Sequence, residues 1–387
     1  MDFDALKRRD FLQLMSGALA GTGFVACAGP ITKPSSSTSS YTDKGKVFLC
    51  LSNDDDRSIV RTFDWTSGEH HDVRSSLGLP HSVVQHRQDP SILNVFESLG
   101  SCVKLDLRSG REIKIDHKSS PEMFAGHGVL DSTGRLLFST QGLSGTKRGI
   151  VTARDADSLQ ITRELPLESL HAHQVVHMPG ERSIVAWGNM RGPNAASKGG
   201  VTFFDYASWN VVKRIDLDHP ILHLIPISST EVVALSFIPR SESLEAGVKS
   251  SKSSRENLLA SMPSKSAAPT PLYRVSSTGS ARTFWDEKNR HDFVYNFGLA
   301  SVKPGERYLT GHTGSNKVFL WKDFAVEKSF DVDRPNNIAV SADSREFMVG
   351  TKGGIDIFSL ETFERLRQIR TERPVVAISS YQNAPGR

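Results

Sequence analysis

Four histidines lead short apolar runs: His81-Ser82-Val83-Val84, His127-Gly128-Val129-Leu130, His173-Gln174-Val175-Val176 and His223-Leu224-Ile225. The first three stand 46 residues apart and the fourth follows 50 later. Neutral imidazole is a good ligand for copper, zinc, iron or nickel, so four that converged could hold a transition metal ion. His171 and His177 share strand parity with His173 and would serve as auxiliary ligands from the same segment. Ligation requires the neutral ring, so metal affinity is expected to fall below about pH 6.5. The competing use is structural, each imidazole bonding a neighbouring backbone and packing a rim. There is no H-E-x-x-H pair, G-x-S-x-G elbow or phosphate-binding loop, and no catalytic residue is assigned.

The elements carrying these histidines are β-strands. Beyond residue 45 the chain is short β-like runs separated by turn residues, with little helical periodicity. A repeat of 46 to 50 residues holding four strands is the signature of a propeller blade. The His81 repeat divides into 81–85, 92–97, 101–107 and 112–117; the next into 127–131, 135–141, 149–155 and 161–167. Phe63-Asp64-Trp65-Thr66-Ser67-Gly68 and Leu105-Asp106-Leu107-Arg108-Ser109-Gly110 are near copies, echoed at Phe204-Asp205-Tyr206-Ala207-Ser208. The Asp can bond its own turn and Gly accepts a positive φ, so each predicts a hairpin between third and fourth strands.

Innermost strands begin near 81, 127, 173, 223, 297, 337 and 375. The run at 375 has no later partners, whereas 46–52, 58–65 and 69–74 lack an inner strand. Joining the two ends hides both sheet edges. The fold class is therefore all-β, a seven-bladed propeller of WD40/YVTN type closed by its N- and C-terminal strands. All inner strands start at one face, which places the four histidines around one mouth of the channel. An insertion at 241–270 with nine serines interrupts the blade led by His223 and emerges on that face. It reads either as a lid or docking segment or as a tolerated loop. His291, Phe293, Tyr295 and Phe297 alternate, and serve either a ligand pocket or blade packing. Cys50 and Cys102 lie within strands and read as core residues.

The amino terminus reads as an address. Lys7-Arg8-Arg9-Asp10-Phe11-Leu12 resembles a twin-arginine (Tat) export signal, with Arg8, Arg9, Phe11 and Leu12 as its core. The mildly apolar 14–26 is too short to span a bilayer. Two exits compete: Phe24-Val25-Ala26-Cys27 resembles a lipobox that would lipidate Cys27, and Ala26-Cys27-Ala28 fits an A-x-A cleavage site. The expected organisation is a signal at 1–27, a Ser/Thr-rich tether at 28–45 and the propeller at 46–387, in the periplasm or anchored in the bacterial envelope. Forty-seven basic against forty-three acidic residues leave +4 with no basic block, which argues against a nucleic-acid partner. No apolar run is long enough for a spanning helix. Three cysteines without a C-x-x-C give no disulfide framework.

Several motifs resemble the domain-of-unknown-function 1513 family of exported bacterial proteins. They are Phe124-Ala125-Gly126-His127-Gly128-Val129, Gly134-Arg135-Leu136-Leu137-Phe138-Ser139-Thr140, Pro80-His81, Leu170-His171-Ala172-His173-Gln174 and Met178-Pro179-Gly180. The resemblance runs from about residue 46 onward and is strongest over 80–190. It implies a propeller, commonly Tat-exported and often encoded beside imelysin-type iron-uptake lipoproteins, and hence metal acquisition with envelope uptake proteins as partners. The chain departs from the family at Thr140-Gln141-Gly142, Ala172-His173-Gln174 and Trp187-Gly188-Asn189; the first two each lose a carboxylate. The expected function is a binding or scaffold protein in iron or other metal handling. Two other classes stay open: an enzyme of lactonase or quinoprotein-like type with its site at the same mouth, and a pure protein–protein adaptor.

Overall fold

The computed structural model describes residues 46–51, 58–65, 67–77, 80–97, 101–116, 122–143, 148–167, 172–180, 183–189, 199–236, 269–293, 296–351, 353–372 and 375–380. The export signal, Cys27, the tether, His171, Tyr295 and nearly all of the 241–270 insertion lie outside them. Seven four-stranded antiparallel sheets form the seven blades of a β-propeller. Blade one is composite, with Val375–Ser380 innermost beside Lys46–Leu51, Ser58–Asp64 and His70–Ser75. Val47 pairs with Ser380 and Leu49 with Ile378, so the expected closure of the two chain ends is present.

The burial pattern explains why the sequence reads as it does. Strands in the middle of a blade are covered on both faces by the neighbouring blades. Ile92–Glu97 and Ile184–Asn189 are buried at every position. Outermost strands are covered less, and Arg111–Asp116 alternates between exposed and half-buried residues. Apolar clusters accordingly cross blade boundaries. Phe48, Cys50, Val60 and Val73 of blade one pack with Val83, Leu93, Val95 and Val103 of blade two. Val201 and Phe203 of blade four meet Leu224, Val232 and Tyr273 of blade five. Cys50 and Cys102 are core residues, and burial pushes the Cys50 thiol up to about 12.

The hairpins between third and fourth strands form as the turn residues demand. The Asp64 carboxylate accepts the Ser67 N–H at 2.7 Å, and Asp155 accepts the Ser158 N–H at 2.7 Å. In each turn the N–H four residues after the Asp returns to its carbonyl, from Gly68, Gly110 and Leu159 at 2.9 Å. That fifth residue has positive φ: +76° at Gly68, +66° at Gly110 and +57° at Leu159. Leu159 accepts this backbone because its side chain is buried, 3% exposed, beside Phe124 and Leu137.

Candidate metal centre

Each histidine is placed by an irregularity in the inner strand of its blade. Pairing to the second strand breaks between Pro80 and Ser82, between Phe124 and Gly128, and between Ala172 and Val175. His81, His127 and His173 fall inside those breaks, and His223 borders one between Ile221 and His223. A bulge frees its residue from the pleat and re-aims the side chain. Here the freed residues are imidazoles, and they are aimed at one another.

The glycines beside His127 make the convergence sterically feasible. Gly126 has φ +95°, and a Cβ there would lie 2.6 Å from the His81 ring. At Gly128 a Cβ would meet the Phe96 ring at 2.4 Å. Hydrogen bonds between blades then fix the strands near the histidines. The Thr140 hydroxyl donates to the His173 carbonyl, and the Leu224 N–H donates to Gln174 Oε1 at 2.7 Å. Ser379 Oγ accepts the Val83 N–H at 3.2 Å.

One ligand nitrogen from each of His81, His127, His173 and His223 lies within 4.8 Å of all the others. Ring centroids are 4.7 Å apart for His81 and His127, 4.8 Å for His127 and His173, and 5.4 Å for His127 and His223. His81 also lies 5.6 Å from His173, so the rings form a compact group and not an open arc. Four nitrogens around a tetrahedral ion at about 2.1 Å would be about 3.4 Å apart, so small side-chain rotations suffice to close the set.

The group is largely buried, with His81 half-buried at its edge. His127 is 9% exposed, His173 5% and His223 9%. The Nε2 atoms of His81 and His127 are buried without a hydrogen-bond partner. Burial, then the neighbouring His223, lowers the His81 pKa to about 3. Burial, followed by His81, His173 and His223, holds His127 well below its ordinary value. In both rings burial favours the neutral form that ligation requires. Among the described residues the group holds four imidazoles and no carboxylate or thiolate.

The other candidates fall elsewhere. His177 faces the Tyr206 hydroxyl, with Nε2 3.2 Å from it, and is not one of the four. Phe293 is fully buried and stacks on Phe319 at 4.8 Å, so it packs a blade, whereas the His291 side chain is 62% exposed. His312, which the motifs did not single out, is a structural contrast: the Thr310 hydroxyl lies 2.7 Å from its Nε2 and accepts from Trp321 Nε1 at 2.9 Å. The supporting residues Gly126, Thr140 and Gln174 were quoted for their motifs but not for this work. A glycine inside a strand, with no turn to require it, was the signal at Gly126.

Residues 79–198 match the model of the family described as "Protein of unknown function (DUF1513)", the family that the motifs around His81, His127 and His173 resemble. No curated protein matches the chain. Among solved structures, the Kuenenia stuttgartiensis hydrazine synthase aligns with TM-score 0.60 at 12% identity, covering 86% of this chain and 100% of that one. The RRP9 WD40 repeats align with TM-score 0.57 at 11% identity, over 85% and 88% of the two chains. Dihydro-heme d1 dehydrogenase NirN aligns with TM-score 0.56 at 10% identity, over 92% and 79%. At such identities the likeness is one of fold.

Proposed function

We propose that this propeller is an exported envelope protein that binds one transition metal ion between His81, His127, His173 and His223, and serves metal handling. The observation carrying the reading is the set of four ring nitrogens within 4.8 Å, in rings of which His81 and His127 each have a buried, unpartnered Nε2. A buried polar atom without a partner costs about 1–3 kcal/mol, and a metal ion would satisfy both at once. Binding is favoured over lactonase-like chemistry by the donor set. That chemistry needs a general base beside the polarising cation, and among the described residues the bases in the group are the four imidazoles, which ligation would occupy.

Metal analysis of the protein purified from the periplasm tests the site. The native chain should carry close to one equivalent of metal. Replacing His127→Ala and His173→Ala together should remove it while the β-sheet circular dichroism persists. Unchanged metal content in that variant rejects the site.

Export rests on Arg8, Arg9, Phe11 and Leu12, with Cys27 as a lipid anchor if the lipobox is used. Arg8→Lys with Arg9→Lys should hold the chain in the cytoplasm. An equal distribution of native and variant chains between compartments defeats the export reading. Envelope metal-uptake proteins, implied by the family resemblance, are the partners that this location would offer.

A further inference from the structure

We infer that the ion held by the four histidines is monovalent copper, a conclusion that rests on the metal-binding reading above. The argument is one of charge. Many metal sites offset part of their ion's charge with thiolates or carboxylates. This one supplies four imidazoles and, among the described residues, nothing anionic. The rings come from four different blades and are largely buried, so little solvent stands close enough to share the charge.

The electrostatic penalty of moving an ion from water into a poorly polarisable interior rises with the square of its charge. A divalent ion bound by neutral ligands therefore meets about four times the penalty of a monovalent one. Water could relieve this by ionising to a bound hydroxide. The site limits access to water, with His127, His173 and His223 no more than 9% exposed and His81 half-buried. Imidazole sites suit zinc, copper, iron and nickel. Of these, copper alone has a monovalent state that persists in biological media. Copper(I) is also content with two, three or four ligands, so it can bind before all four rings have closed around it.

The inference turns away from the iron chemistry that the family resemblance implies, since iron would enter with a charge of at least two. It also assigns the site a role with one-electron consequences. A pocket that favours the monovalent over the divalent ion raises the reduction potential of the bound copper and protects it from oxidation.

The test is a competition on the exported, metal-stripped protein under anaerobic conditions. Copper(I) is titrated against a chromogenic copper(I) chelator, with zinc(II) and copper(II) titrated separately, and the His127→Ala/His173→Ala variant run alongside. The expected result is a 1:1 copper(I) complex tighter than the zinc(II) complex and absent from the variant. Copper(II) should bind more weakly than copper(I). Zinc(II) or copper(II) binding as tightly as copper(I) overturns the charge argument and leaves the metal site standing. If none of the three ions binds the native chain, the copper assignment falls, and the metal content of the periplasmic protein decides the metal-binding reading separately.

Discussion

A histidine is informative in a sequence because of its neighbours, and His127 shows how far that reaches. Its repeat spacing marked it, and so did Gly126 and Gly128 on either side. The purpose of those glycines lay in contacts with His81 and Phe96, residues 45 and 32 positions away, which no local pattern discloses. The acid sensitivity of the site was likewise illegible, because it depends on burial that only the assembled blades produce. It has a consequence for stability. His81 and His127 bind protons poorly when folded and regain ordinary values near 6.5 when the chain unfolds. The unfolded chain thus holds more protons below about pH 6.5, for His81 down to about pH 3. The His81 contribution is complete above 6.5 and is lost as the pH falls towards 3, with a slope approaching 1.4 kcal/mol per pH unit, about the value of one pKa unit, and His127 adds to it in the same direction. Thermal melts of the metal-free protein from pH 7 to 4 should therefore steepen relative to a His81→Gln/His127→Gln variant. Parallel curves would show that the rings do not titrate in this way.

At the scale of the element, the strands and turns were the most legible part of the chain. Two-sided burial writes apolar residues at most positions of a middle strand, and the Asp-led turns recur in visible copies. Bulges were not legible, since one skipped residue leaves no compositional mark unless a glycine accompanies it. Parity counted from His173 to His177 assumed an uninterrupted strand, and the register shift between Ala172 and Val175 interrupts it. The turns also separate backbone from side-chain effects. A Cβ at Gly110 would touch nothing within 4 Å, so Gly110→Ala should destabilise through its φ of +66° alone, by about 1 kcal/mol. Leu159→Gly relieves the same strain but exchanges a buried side chain for nothing. A net loss of about 1–2 kcal/mol is expected in urea melts. Stabilisation by Leu159→Gly would mean that the strain outweighs the packing.

For the whole molecule, the decisive bond is between strands at opposite ends of the chain. The sequence disclosed it by arithmetic: three strands without an inner one at the start, an inner strand without followers at the end. Val375, Ala377 and Ile378 belong to the apolar clusters on both sides of blade one. Deleting 375–387 would strip that cover and leave the edge of Lys46–Leu51 unpaired, a template for association between chains. The truncated protein should lose its cooperative urea transition and sediment as aggregate. A soluble monomer with a native-like transition would show that closure is dispensable.

That same seam also sets an order of events in time. The chain must be finished before Ser380 can meet Val47, whereas the four histidines are all synthesised by residue 223. At roughly 5–20 residues per second, the ribosome leaves an interval on the order of ten seconds between the last histidine and the closing strand. Closing so long a loop is slow even after release. An ion bound during that interval would be enclosed by closure and would never have to pass through the finished rim. The finished protein, by contrast, exchanges its ion only across the rim, so the seam separates two routes of entry.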